Sequence, residues 1–137
     1  MHIGLVSCGK KKLAGKHPAK DLYVSNRFRM ALAHATRVCD RVYILSAKHG
    51  LLLPEQEIST YDLSLAMLTR DERRTWAERS AAAIRDSVSP GSTLHFFCGR
   101  TYCSDLIPML CEGYTCLTPL RGLSIGRELH YYRMYAP

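Results

Sequence analysis

Four short apolar runs, rich in β-branched or aromatic residues, recur along the chain with helical patterns between them: His2 to Ser7, Arg41 to Ser46, Thr93 to Cys98 and Tyr114 to Thr118. Strands that alternate with helices pair in parallel, because a parallel pair needs a long crossover, and such crossovers are right-handed. Near-continuous apolar stretches such as "VYIL" and "LHFFC" suit strands buried on both faces. The expected architecture is an α/β three-layer sandwich with a mostly parallel four-stranded sheet between helices. At 137 residues the whole chain, 1–137, is expected to form a single domain.

Local chemistry marks the crossovers. Ser25 is placed to cap a helix whose apolar face uses Phe28, Ala31, Leu32 and Ala35, spaced three and four apart. "TRDE" from Thr69 to Glu72 is a capping box opening a helix through about Ser87, which "SPGS" ends. A third helix is expected near Tyr102 to Cys111. The stretches from Gly9 to Val24 and from Gly50 to Thr69 read as long irregular connections, which are more often functional than decorative.

Charge is uneven. Of the net +7, the segment up to Lys48 supplies more than the total, with ten Lys or Arg against Asp21 and Asp40. Such a run is either a solvated face or a footprint for a phosphate-bearing partner. No apolar run of about twenty residues and no signal-peptide pattern is present, so a cytoplasmic protein without a membrane partner is expected. Six cysteines (Cys8, Cys39, Cys98, Cys103, Cys111, Cys116) lie mostly in core-like patterns, and the spacing from Cys98 to Cys116 lacks a two-residue zinc knuckle. Reduced thiols, no metal and no cofactor are expected.

Ligands of open parallel sheets bind outside the carboxyl ends of the strands. Here those ends read "SCGK", "SAKHG", "CGRTY" and "TPLRG", each pairing a glycine with a cation: Gly9 with Lys10, Gly50 with Lys48, Gly99 with Arg100 and Gly122 with Arg121. Glycines let backbone N–H groups approach an anion, helix N-termini add partial charge, and Lys or Arg heads add whole charges. Ser7, Ser46 and Lys12 belong to the same tips. The spacing fits neither a Walker loop nor G-x-G-x-x-G, which disfavours ATP hydrolysis and NAD binding.

Reactive candidates stand at this rim. His49 can exchange a proton near neutral pH, and nearby cations would lower its pKa, although a ring that only braces its loop is equally consistent. Cys8 is a nucleophile if the lysines after it activate it, and otherwise a small packed hydrophobe. Asp62, a lone acid among bases, could orient a water or pair with Lys or Arg, the pairing being favoured. Tyr23 and Tyr102 could stack on a base or simply pack.

The blocks "SCGKKKL", "PAKDLYVSNRF", "ILSAKHGLL", "YDLSL" and "PLRGLSIGREL" resemble, over nearly the whole chain, a bacterial and phage family described only as a domain of unknown function. More distantly, "SCGKKK" and "LYVS" are similar to a domain of archaeal archaeosine-synthesis proteins whose fold resembles uracil-DNA glycosylases. That likeness implies a four-stranded parallel sheet between helices and nucleotide or nucleic-acid handling near Ser7, Cys8, Gly9, Lys10 and Lys12. The chain departs from glycosylases in having no water-activating Asp-Pro segment and no His-Pro-Ser loop.

Together these readings lead to an expected enzyme that acts on a nucleotide or nucleic-acid base, cleaving or exchanging an N-glycosidic bond. Asp62 would serve the water or sugar, His49 the base, and Lys10, Lys12, Lys48 and Arg100 the phosphate. The alternative is a non-catalytic nucleic-acid-binding module, and a third reading is a phage or host accessory protein with a protein partner.

Overall fold

The computed structural model describes residues 1–134. Its central sheet runs in the order β4-β3-β1-β6-β7, with strands β1 (His2–Ser7), β3 (Arg41–Ser46), β4 (Gly50–Leu52), β6 (Thr93–Phe97) and β7 (Thr115–Leu117). β1 lies in the middle, parallel to β3 (Ile3 beside Arg41) and to β6 (His2 beside Thr93), and β7 continues the parallel set. The α/β class and mostly parallel sheet are as expected. The strand count is not: β4 adds a fifth strand, antiparallel on the β3 edge.

That edge strand corrects the reading of "SAKHG" as a plain strand exit. Ser46 pairs with Gly50 across a three-residue turn, and Gly50 takes φ +71°, the left-handed backbone that glycine adopts without a Cβ clash. Lys48 and His49 therefore sit on a hairpin tip. The two supposed irregular loops are corrected as well. β2 (Lys16–Pro18) pairs antiparallel with β5 (Glu57–Ser59), and the amides of Ala19, Lys20 and Thr60 bond to the carbonyls of Gln56, Pro54 and Gly15. Three-residue strands carry little pattern of their own, and each is held by the other.

Alternation along β1 sends Ile3 and Leu5 to one face and Val6 to the other. The first face packs on α3 (Arg70–Ser87) and α4 (Arg100–Leu110) through Trp76, Ala77, Ile84, Leu106 and Leu110. The second packs on α2 (Asn26–Val38), the single turn α1 (Ala19–Leu22) and α5 (Ile125–Met134) through Phe28, Ala31, Ala35, Leu22 and Tyr132. Gly4 allows the close approach of α2, because a Cβ there would stand 3.1 Å from that of Ala35. Both expected caps form: Ser25 Oγ accepts from Phe28 N, and Thr69 and Glu72 make the reciprocal capping box. α5 was not anticipated; Ser124 Oγ accepts from Arg127 N at its start, and Tyr132 is buried.

All six cysteines are free, but the core-like patterns overstated their burial: Cys98 is buried, Cys111 is exposed and the other four are half-buried. Titration under denaturing, non-reducing conditions should count six thiols, and four would reveal a disulfide. No described helix is long and apolar enough to cross a membrane.

His34 on α2 is buried against Phe97, Tyr131 and Tyr132, with ring centroids 5.2, 5.3 and 5.6 Å away. Burial, then the charges of Arg37 and His95, push its pKa down; His95 is lowered likewise by burial and by His2. The unfolded chain therefore binds protons at these sites first, so stability present above about pH 6.5 is lost as pH falls below it. The melting temperature should be lower at pH 5.5 than at 7.5. An unchanged or higher value would contradict this assignment.

Candidate functional site

Two features share the C-terminal edge of the parallel strands. The first is a hydrogen-bonded cluster centred on Tyr61. Its hydroxyl lies 2.5 Å from that of Tyr23 and 2.7 Å from Ser46 Oγ, and it donates to Cys8 Sγ at 3.8 Å. Cys8 Sγ in turn meets Tyr102 OH at 3.1 Å, while Ser46 Oγ accepts from His49 N at 3.1 Å. Trp76 Nε1 fixes the same corner by donating to Ser46 O at 2.8 Å.

Charge surrounds the Tyr61 ring. Lys12 Nζ stands 4.5 Å and Lys48 Nζ 5.7 Å from its centroid, and the His49 ring meets it edge-on at 5.5 Å. Burial, then the neighbouring Cys8 sulfur, pushes the Tyr23 phenol up to about 12 and raises Tyr61 and Tyr102 as well. All three remain neutral donors at neutral pH. His49 is lowered as the sequence suggested, but loss of hydration comes first and the Lys48 charge second.

The second feature is a cleft of about 740 Å³ at the ends of β6 and β7, lined by Arg27, Arg100 and Arg121 together with Cys98, Gly99, Cys103, Gly122 and Glu128. α4 opens onto it with Gly99 at the N-cap and no side-chain cap, and nothing lies within 4 Å of where a Gly99 Cβ would be. Gly99 and Arg100 at the start of this helix line the cleft, so the positive end of the helix dipole lies beside it. A smaller cavity of about 70 Å³, lined by Ser7, Cys8, Gly9, Ser25 and Arg27 among others, adjoins the β1 tip. Gly9 is required there, because a Cβ would come within 2.9 Å of Ser25 Oγ.

Arg27 joins the two spaces. Its Nε and Nη2 bond both carboxylate oxygens of Glu128 at 2.6 and 2.8 Å. The Glu128 side chain is only 6% exposed, whereas that of Arg27 is 43% exposed.

Residues 3–134 match a family described as "Family of unknown function (DUF6884)". The chain belongs to this family. It is also 34% identical over 100 residues to "Uncharacterized protein YfjM" of Bacillus subtilis (strain 168), an overlap covering 64% of this chain and 67% of that protein. No solved structure matches it significantly.

In this DUF6884 chain the candidate residues divide between the two features. Ser46, Lys12, Tyr23, Lys48 and His49 gather around Tyr61, and Gly50 pairs with Ser46 beside them; Gly99, Arg100, Arg121 and Gly122 line the cleft; Ser7, Cys8 and Gly9 lie at the smaller cavity, with Cys8 and Tyr102 hydrogen-bonded to each other. Lys10 is exposed, and its carbonyl accepts from Lys12 Nζ. Asp62 is exposed and has no Lys or Arg ion pair among the described residues, contrary to the favoured pairing. Three residues escaped sequence reasoning: Tyr61, overlooked beside Asp62, and the pair Arg27 and Glu128, whose connection spans 101 positions. Among the described residues no group of three or more His, Cys, Asp or Glu is arranged to hold a metal ion.

Proposed function

We propose that this chain acts on a nucleotide or nucleic-acid base, seating its phosphate at the cleft and cleaving or exchanging the N-glycosidic bond. The observation that carries the reading is the cleft itself: it lies where parallel sheets bind ligands, it is walled by three arginines, and the uncapped start of α4 opens into it. The uracil-DNA-glycosylase-like fold belongs to this proposal too, supported by the parallel strands between helical layers. His49 is the proton-transfer group of this reading. Cys8, hydrogen-bonded to Tyr102 at the start of α4, connects its side of the rim to the cleft.

Base release from nucleoside monophosphates and single-stranded nucleic acid is the test. His49→Ala should lower turnover by about two to four powers of ten while leaving binding nearly intact. Binding without any base release would contradict the enzyme and leave the second reading, a non-catalytic nucleic-acid-binding module. One observation favours that module: neither His49 nor Asp62 is among the residues lining the cleft. For either version, affinity for single strands should fall by roughly 0.7 log unit per log unit of salt for each phosphate contacted. Binding that is flat with salt would count against both.

A further inference from the structure

The Arg27–Glu128 pair poses a question that packing alone does not answer. A carboxylate removed from water is costly, and apolar residues of similar volume would often stabilise the same position as well or better. Yet Glu128 is buried while facing a cleft, and its whole reach is spent on one guanidinium. Two of the five N–H groups of Arg27 go to the carboxylate. Three N–H groups remain on Arg27, a residue that lines both the large cleft and the small cavity beside Cys8 and Gly9. A two-point grip on one edge of a planar fork fixes the direction of the other edge.

We infer that Arg27 is the phosphate clamp of this site and that Glu128 is its positioning residue. This rests on the reading of the cleft as a phosphate seat and adds where the phosphoryl group sits: between the first turn of α4 and the tip of β1, within reach of the free edge of Arg27. The lysines of the hairpin tip and the β1 tip are then peripheral to the seat. The ligand class is a phosphoryl group whose oxygens accept two parallel N–H bonds, as a nucleotide or a nucleic-acid backbone provides.

The test uses the full chain and inorganic pyrophosphate as probe, with affinity measured by calorimetry alongside the melting temperature. The double variant Arg27→Met/Glu128→Leu removes both charges together, so no buried charge is stranded and the fold should melt within a few degrees of the wild type. Its affinity should fall by about ten- to a hundredfold, the equivalent of a charge-assisted bidentate contact. Arg27→Lys keeps a positive charge beside Glu128 but loses the fork. It should also bind at least several-fold more weakly while remaining folded, with only a few degrees lost in melting temperature, which keeps the idea testable should the double variant not fold.

Unchanged pyrophosphate affinity in folded variants would overturn the clamp while leaving the cleft reading intact, with Arg100 and Arg121 as the remaining partners. Absence of pyrophosphate binding in the wild type would overturn both.

Discussion

Trp76→Ala should lower stability by about 3–5 kcal/mol, the usual cost of emptying a large aromatic from a core. At roughly 3–4 °C per kcal/mol for a domain of this size, the melting temperature falls by about 10–20 °C. Trp76 is 6% exposed, and it packs with Leu45, Ala47 and Leu65 beneath the hairpin tip. Its indole N–H also satisfies Ser46 O, the backbone of the residue whose Oγ touches Tyr61 OH and receives His49 N. Trp76→Phe separates the two contributions. It retains most of the packing but takes one donor away from the buried carbonyl, so about 0.5–1.5 kcal/mol should go. Equal melting of Trp76→Phe and wild type would mean that the hydrogen bond does not hold this corner.

The largest effect on binding is expected from removing charge at the cleft wall. Arg100→Ala with Arg121→Ala should weaken binding of a phosphorylated ligand by about two orders of magnitude or more, at roughly 1.5–3 kcal/mol for each charge-assisted bond lost. Both side chains are exposed, so stability should barely change. The informative comparison is Lys10→Ala with Lys48→Ala, which removes the same charge from the opposite side of the rim. If the cleft is the seat, the arginine pair loses far more affinity than the lysine pair. A larger loss from the lysines would move the seat to the Tyr61 side.

Features governed by short-range chemistry were legible in the sequence. Ser25 and Thr69 announced their helices because a hydroxyl three residues ahead of a free amide is a local arrangement. The parallel core strands were legible because their apolar runs are long enough to show burial on both faces. β4 was not, since the apolar run after Gly50 gives no sign of whether the chain leaves the sheet or folds back along it. β2 and β5 are three residues each and exist by pairing with each other across some forty positions of sequence.

The site divides in the same way. Glycine–cation tips marked the rim, and that signal found Arg100, Arg121 and the glycines beside them. It could not distinguish the cleft from the hairpin tip, because the difference lies in which helices flank each strand end. Tyr61 was hidden for another reason: its importance comes from a hydroxyl that gathers Tyr23, Ser46 and Cys8 from three separate elements. Glu128 gave no local signal, because its burial comes from α5 turning it inward against Arg27.

The central claim is that phosphate is held in the cleft at the start of α4. A titration of the isotopically labelled chain with inorganic pyrophosphate, followed through backbone amide resonances, tests it residue by residue. The account predicts the largest shifts at the amides of Gly99, Arg100 and Thr101, with little change at Lys48, His49 and Gly50. Shifts concentrated on the hairpin tip, with the first turn of α4 unmoved, would contradict it.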